Sequence, residues 1–318
     1  MRARRALLLL LLALVAGTAL AQDYPRKPIR IVVPYPPGGV TDLAARLVAP
    51  RMGETLGQPL IVENQPAAGG VVGTNALARS APDGYTLGVV FDSFATNPWL
   101  YKGVTHDPIK DFAPISLMVR SPQLLVVHPG KGIRTIQDLL AQGKEKNRLF
   151  FSTPGAGTSS RLSSELFKSM ANIDITLVSF RGGAPALNDL LGGQVTGMIA
   201  SMALVLPHVQ SGKLIALGVS SPTRAAQVGN VPPIADTLPG FDAQSWTGMI
   251  APTGTPRPIL DRLHAAVVKA LASPEVREKL AGQGVEVVGS TQAEFGEWLA
   301  RETQRWSRII RERNITVE

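Results

Sequence analysis

Ile29-Arg-Ile-Val-Val33, then Pro34-Tyr-Pro-Pro-Gly-Gly39, then Val40-Thr-Asp-Leu-Ala-Ala-Arg46: these are three short blocks, and their order decides the fold. The first block is brief and β-branched, as in a parallel strand buried on both faces. The second ends it, because proline removes donors and glycine frees the backbone. The third opens a helix at about Thr41, with Leu43, Leu47 and Leu56 on one face and Pro50 inside, where proline kinks a helix. Strand, glycine-rich turn and helix together make the unit of α/β architecture.

Further along, the unit recurs. Leu60–Glu63, Tyr85–Val90, Leu124–Val127, Leu149–Ser152, Ile175–Phe180, Val195–Ala200 and Leu214–Val219 are strand-length apolar runs, and Ala67–Gly73 is a glycine-containing stretch between two of them. Leu162, Leu166, Phe167 and Met170 share a helix face, as do Leu187, Leu190 and Leu191 before Gly192-Gly193 ends that helix. Beyond Ile259 the pattern is mostly helical. Ile259, Leu260, Leu263 and Val267 mark one helix, and Ser273-Pro274 opens another. Thr291 to Glu294 is a capping box that starts a long final helix, striped by Phe295, Trp298, Leu299, Trp306, Ile309 and Ile310.

The first residues read as an export leader. Arg2, Arg4 and Arg5 precede an apolar run from Ala6 to about Ala16, and Ala19-Leu20-Ala21 is a small-x-small cleavage site. The run is shorter than the ~20 residues a spanning helix wants. The mature chain is therefore expected to begin near Gln22, in the periplasm. With 318 residues in all, enough remains for two domains of ordinary size. No cysteine is present, which excludes a disulfide framework, a thiolate metal site, a cysteine nucleophile and a lipid anchor at the cleavage point. The net charge of +8 includes the leader arginines, and the other basic residues are scattered. The one dense run, Lys144 to Arg148, reads as a solvated helix end. With aromatics at 5%, a nucleic-acid groove is not expected. A mild positive balance suits a receptor for anions.

Three turns carry the candidate chemistry: Pro36–Gly39, Thr153–Ser159 and Arg181–Gly183. Glycine lets main-chain N–H groups approach a ligand, and a helix starting there aims its unpaired amides and positive dipole end at the same spot. Such turns hold anions without a charged side chain. Arg181 adds a guanidinium for a carboxylate. Ligands of open α/β sheets bind at the carboxyl ends of strands, where these turns fall. The run Gly155 to Ser160 lacks the third glycine of a dinucleotide fingerprint, so no nucleotide cofactor is expected. His106, His128, His208 and His264 show no metal-ligand spacing, and no Gly-x-Ser-x-Gly elbow exists. Asp42 and Asp92 stand near the turns, but the plainer reading of them is one helix cap and one loop support. Neither a catalytic residue nor a metal site is predicted.

The order of motifs carries a resemblance. Tyr24 to Gly39 with Asp42 and Arg46 is followed by Leu56-Gly-Gln-Pro-Leu-Ile-Val-Glu-Asn64, Gly69-Gly70 and Asp83-Gly84-Tyr85-Thr86-Leu87. Next come Ser179-Phe-Arg-Gly-Gly-Ala-Pro-Ala-Leu187 and Leu190-Leu-Gly-Gly-Gln-Val195, then Trp246, Gly248 and Ala251-Pro-Thr-Gly-Thr-Pro256. This series resembles the solute receptors of tripartite tricarboxylate transporters, the Bug receptors, across essentially the whole mature chain. The resemblance implies a type II periplasmic-binding-protein fold, with two α/β domains joined by two crossovers and a ligand cleft between them. Residues 22–123 and 247–318 are expected to form the first domain and 124–246 the second. It implies a receptor that holds a small carboxylate chiefly by backbone amides and ordered water and meets membrane permease components; a monomer is expected. Pro36, Gly38, Gly39 and Thr41, supported by Asp42, would form one side of the site. Gly157, Thr158, Ser159, Arg181, Gly182 and Gly183 would form the other, and Ser93 and Ala95 the wall.

Four positions depart from the family pattern: Gln65 stands where arginine is usual, Arg161 for histidine, Ser179 for proline and Thr196 for aspartate. Loss of an aspartate near the cleft would remove a partner for a ligand amine, so a ligand without one, a dicarboxylate or an aromatic carboxylate, is expected. Two rival readings exist. A sensor feeding a membrane kinase would share the pocket, whereas a secreted hydrolase needs a nucleophile–base pair that the sequence does not offer.

Overall fold

The computed structural model describes residues 24–155, 158–180 and 182–316. The predicted leader and its cleavage site lie outside these residues, as do Gly157 and Arg181.

The first half of the chain runs β1 (Ile29–Val33), α1 (Val40–Leu56), β2 (Leu60–Asn64), α2 (Val71–Ala78), β3 (Thr86–Phe91), α3 (Ser93–Leu100), β4 (Phe112–Ser121), β5 (Gln123–Val127) and α4 (Ile136–Gln142). It continues with β6 (Phe150–Thr153), α5 (Ser159–Ala171), β7 (Thr176–Ser179), α6 (Gly183–Leu191), β8 (Gly197–Ser201), α7 (Met202–Gln210) and β9 (Ile215–Val219). The last part is β10 (Ser245–Pro252), α8 (Arg257–Leu271), α9 (Pro274–Ala281), β11 (Glu286–Val287) and α10 (Gln292–Glu312). The opening unit folds as its sequence dictates: β1 is buried almost throughout, and α1 continues through Pro50. The basic run from Lys144 to Arg148 is an exposed turn beyond α4 rather than part of a helix.

Two sheets result. One has the strand order β11-β4-β10-β3-β1-β2, the other β7-β6-β8-β5-β9. Both are mixed. In the first, β1 is parallel to β2 and β3 while β10 is antiparallel to β3 and β4. In the second, β6 is parallel to β7 and β8 while β5 is antiparallel to β8 and β9. The chain leaves the first sheet after Ser121 and re-enters it at Ser245, and those two residues are register partners. The two crossings therefore lie side by side, as a hinge requires.

Strands β4 and β10 were not anticipated, and their sequences show why. Pro114 interrupts the apolar pattern of β4, and the β4–β10 register slips beside it, between Met249 and Ile250. Proline is tolerated in a strand at such an irregularity. In β10, Gly248 contributes no side chain because Phe295 of α10 packs onto it; a Cβ there falls 2.2 Å from the ring.

Helix α10 serves both lobes. Phe295 and Leu299 sit in a core with Phe94, Phe112 and Trp246 of the first lobe. About two to three turns on, Trp306, Ile309 and Ile310 join Phe151, Phe167 and Phe241 in the core of the second. Each such burial contributes ~1.5–3 kcal/mol, so the helix ties the two lobes together.

Candidate ligand-binding site

The turn after β1 is built around Asp42. Its carboxylate accepts the Gly38 amide at 2.9 Å, Arg46 Nε at 2.9 Å and Asn64 Nδ2 at 2.9 Å. Asn64 also donates to the Tyr35 carbonyl at 3.1 Å and accepts from Arg46 at 2.7 Å. Burial works against the charge on Asp42, but the Gly38 amide, Asn64 and Arg46 outweigh it and hold the carboxyl below its ordinary range. Gly38 takes a φ of +89°, which only glycine adopts freely. This changes one expectation. Gly38 spends its amide on Asp42, so it shapes the turn, while the first turn of α1, capped by no side chain, keeps its free amides from Gly39 onward. Pro36 and Gly39 are exposed at the mouth of this turn, and Thr41 is buried beneath it.

Ser93 and Ala95 follow β3 but play different parts. The Ser93 hydroxyl lies 3.2 Å from Tyr35 Oη and 3.3 Å from the Gly69 carbonyl, within reach of donating its one proton to either, which pins neighbouring loops. Burial pushes the Tyr35 hydroxyl up, well away from ionisation. Ala95, expected on the wall, has no exposed surface and packs among Leu77, Val90, Phe94 and Phe112. It is core.

In the second lobe Thr158 caps α5, its hydroxyl meeting the Arg161 amide at 3.4 Å and the Gly155 carbonyl at 2.8 Å. Ser159 is the first helical residue. The β7 turn closes onto the same place, with Phe180 N–H donating to Thr153 O at 2.8 Å and Gly182 N–H to Pro154 O at 3.0 Å. Gly182, at φ +119°, therefore joins the two turns, and Gly183 starts α6 against Leu204. Thus the two lobe-II turns form one surface at the carboxyl ends of β6 and β7.

Contacts around the end of β3 relate these surfaces. Thr41 Oγ1 lies 3.5 Å from Thr247 Oγ1, and Thr247 is paired with Phe91 at the end of β3. Asp92 comes next in the chain, with Ser245 on one side and Ser159 of the opposite lobe on another. It is 4% exposed; the Ser245 and Ser159 hydroxyls and the Ser93 amide lie close enough to favour its charge, but none reaches full hydrogen-bond geometry with either carboxylate oxygen. Burial drives its pKa up to about 7. The plain reading of the two aspartates holds for Asp42, which supports its loop. It fails for Asp92, which occupies the position before α3 without making a capping bond. Sequence reasoning also assigned no role to Tyr35, Asn64, Ser245 and Thr247; of these Tyr35, inside the Tyr24–Gly39 motif, and Asn64, inside the Leu56–Asn64 motif, carried a local signal.

Thr196 lies elsewhere. Its amide and hydroxyl bond the Phe150 carbonyl and amide at 2.7 and 3.2 Å, at the amino end of β6. The Thr158 turn follows the other end of that strand, roughly 10 Å away. The substitution at Thr196 therefore says nothing about a ligand amine, and the expectation built on it loses its premise. Gly157 and Arg181 belong to these turns by sequence but fall outside the described residues. Among the described residues no cluster of three potential metal-ligating side chains occurs, and no helix is long and apolar enough to cross a membrane.

A family model described as the tripartite tricarboxylate transporter family receptor matches residues 44–315. BugT of Bordetella pertussis is 36% identical over 302 residues, which is 94% of this chain and 93% of that protein. Among solved structures, the periplasmic binding protein BugD is 31% identical with a TM-score of 0.76, covering 92% of this chain and 99% of its own. An R. palustris protein solved with adipate is 31% identical with a TM-score of 0.78, covering 91% and 98%.

Proposed function

The chain belongs to the receptor family of the tripartite tricarboxylate transporters, and we propose that it is a periplasmic solute-binding receptor that captures a small di-, tri- or aromatic carboxylate between its lobes. One observation supports this reading: the uncapped start of α1 follows β1 and the start of α5 follows β6, each at the carboxyl end of a parallel strand in its own lobe, and Ser159 of α5 lies beside Asp92 at the end of β3 in the other lobe. Two helix starts offer unpaired amides to an anion without any cation. The adipate held by the R. palustris relative supports a carboxylate ligand here. In this reading the leader is removed after Ala21, and the first lobe takes one carboxylate end. Closure about the paired Ser121 and Ser245 crossings then buries the ligand and presents a new surface to a membrane permease. The protein binds and releases its ligand unchanged.

A thermal-shift screen of the mature chain over mono-, di-, tri- and aromatic carboxylates tests this. A cognate ligand at 100 times its Kd adds ~2.7 kcal/mol of stability. The reading is abandoned if every carboxylate leaves the melting temperature unmoved.

A further inference from the structure

Among the described residues, Asp92 is the one carboxylate with both oxygens buried and neither in a well-formed hydrogen bond, with only the Ser245 and Ser159 hydroxyls and the Ser93 amide close by. Buried polar groups are nearly always hydrogen-bonded, so an orphan of this kind needs an explanation, and the place it occupies supplies one. It stands at the carboxyl end of β3, where ligands of α/β sheets bind, and it faces the first residue of α5 across the lobes.

The charged and titratable groups bearing on it are few. Tyr35 approaches from the β1 turn, and Glu302 from α10. Glu302 is itself held by Arg305 at 2.9 Å and by the Trp306 indole at 2.9 Å. From α5 and β10 come only the hydroxyls of Ser159 and Ser245. No described cation offsets a charge on Asp92; the Ser245 and Ser159 hydroxyls and the Ser93 amide favour one, but burial, with the nearby carboxylate Glu302, outweighs them. An ionised Asp92 is an acceptor only and repels an anionic ligand in a dry cleft. A protonated one carries a donor hydroxyl.

We propose that Asp92 is a ligand-contacting, specificity-determining residue: as a neutral acid it donates a hydrogen bond to a carboxylate oxygen of the bound ligand, so that capture takes up a proton from solvent. This rests on the carboxylate-receptor reading. The ligand's negative charge, arriving beside a group that titrates near neutrality, stabilises the protonated form further. Affinity and protonation are then linked, and carboxylates are held more tightly as the medium acidifies. The same carboxyl disfavours ligands whose only groups facing it are donors.

The experiment is calorimetric titration of the mature protein with adipate and with 2-aminoadipate at pH 6.5 and pH 8, each in two buffers of different ionisation heat. Adipate binding is expected to tighten roughly five- to tenfold at the lower pH, with net proton uptake at pH 8. Asp92→Asn, neutral at every pH, is expected to bind adipate several-fold tighter than the parent at pH 8 and to lose the slope. Affinity that is flat with pH and shows no proton uptake overturns the role of Asp92 while leaving the receptor reading intact. Tightening with rising pH, or a preference for 2-aminoadipate that Asp92→Asn abolishes, overturns it too, since an ionised Asp92 is then accepting a ligand donor. If the parent binds no carboxylate in the screen at either pH, both readings fall.

Discussion

Arg161 Nη1 donates to Ser179 Oγ at 3.3 Å, joining α5 to the end of β7 beside the Thr158 turn. These two positions both depart from the family pattern, and they touch. Arg161 also pairs with Glu165 at 3.0 Å, where the carboxylate is largely buried. The Ser179 hydroxyl lies 3.4 Å from Thr153 Oγ1, so the network reaches back to β6.

A double-mutant cycle on Arg161→Ala and Ser179→Ala should therefore show coupling of ~0.5–1 kcal/mol in urea unfolding. Arg161→Ala should cost more than Ser179→Ala, by ~1 kcal/mol, because it strips Glu165 of its partner. Strict additivity of the two changes would mean that the contact does not matter.

Asp42 should be the least replaceable polar residue of the first turn. Asp42→Ala removes the acceptor for Gly38, Arg46 and Asn64 together, and is expected to cost ~1–3 kcal/mol and to weaken ligand binding more than tenfold. The pH dependence follows from the lowered pKa. Its contribution is complete above the unfolded value near ~4 and disappears as pH falls through the lower folded value. Melting curves from pH 6 to pH 3 should show this acid loss in the parent and a flatter profile in Asp42→Asn.

Gly38 and Gly39 are adjacent but should behave oppositely. A Cβ at either meets nothing within 4 Å, yet Gly38 has φ +89° and Gly39 φ −78°. Gly38→Val is expected to lose at least ~1 kcal/mol from backbone strain. Gly39→Val should melt like the parent and fail to bind carboxylate, since its side chain fills the space before the α1 amides. Normal affinity in Gly39→Val would move the site away from this helix start.

Asp92 has a stability signature that needs no ligand. Its folded pKa is raised, to about 7, so between the unfolded value near ~4 and pH 7 the folded state holds the extra proton, and stability falls as pH rises across that window. Asp92→Asn removes the penalty. It should melt higher than the parent at pH 8, by up to ~4 kcal/mol in stability, and close to it at pH 4. Equal differences at both pH values would mean that Asp92 is ionised without strain.

Much of this was legible residue by residue. The β1 turn, the capping box of Thr291 and Glu294, and the amphipathic stripe of α10 are local patterns, and they fold as their periodicity and turn chemistry require. Strands β4 and β10 were not legible, because Pro114 and Gly248 break the alternation for reasons held by other segments: a register slip, and the ring of Phe295. Thr196 shows the converse error. A departure from a familiar motif suggested a change in the cleft, but strand polarity places that side chain at the far end of β6.

The sequence alone determined the alternation of strand, glycine turn and helix, the export leader as an expectation, and the family resemblance. Those depend on neighbours within a few residues or on motif order. Only the tertiary structure decided that Asp92 is dry and poorly paired, since Ser159, Ser245 and Glu302, far away along the chain, are what surround it. It likewise decided that Gly38 gives its amide to Asp42 while Ala95 belongs to the core. Burial and pairing are properties of segments brought together, and a carboxyl group's charge is set by both.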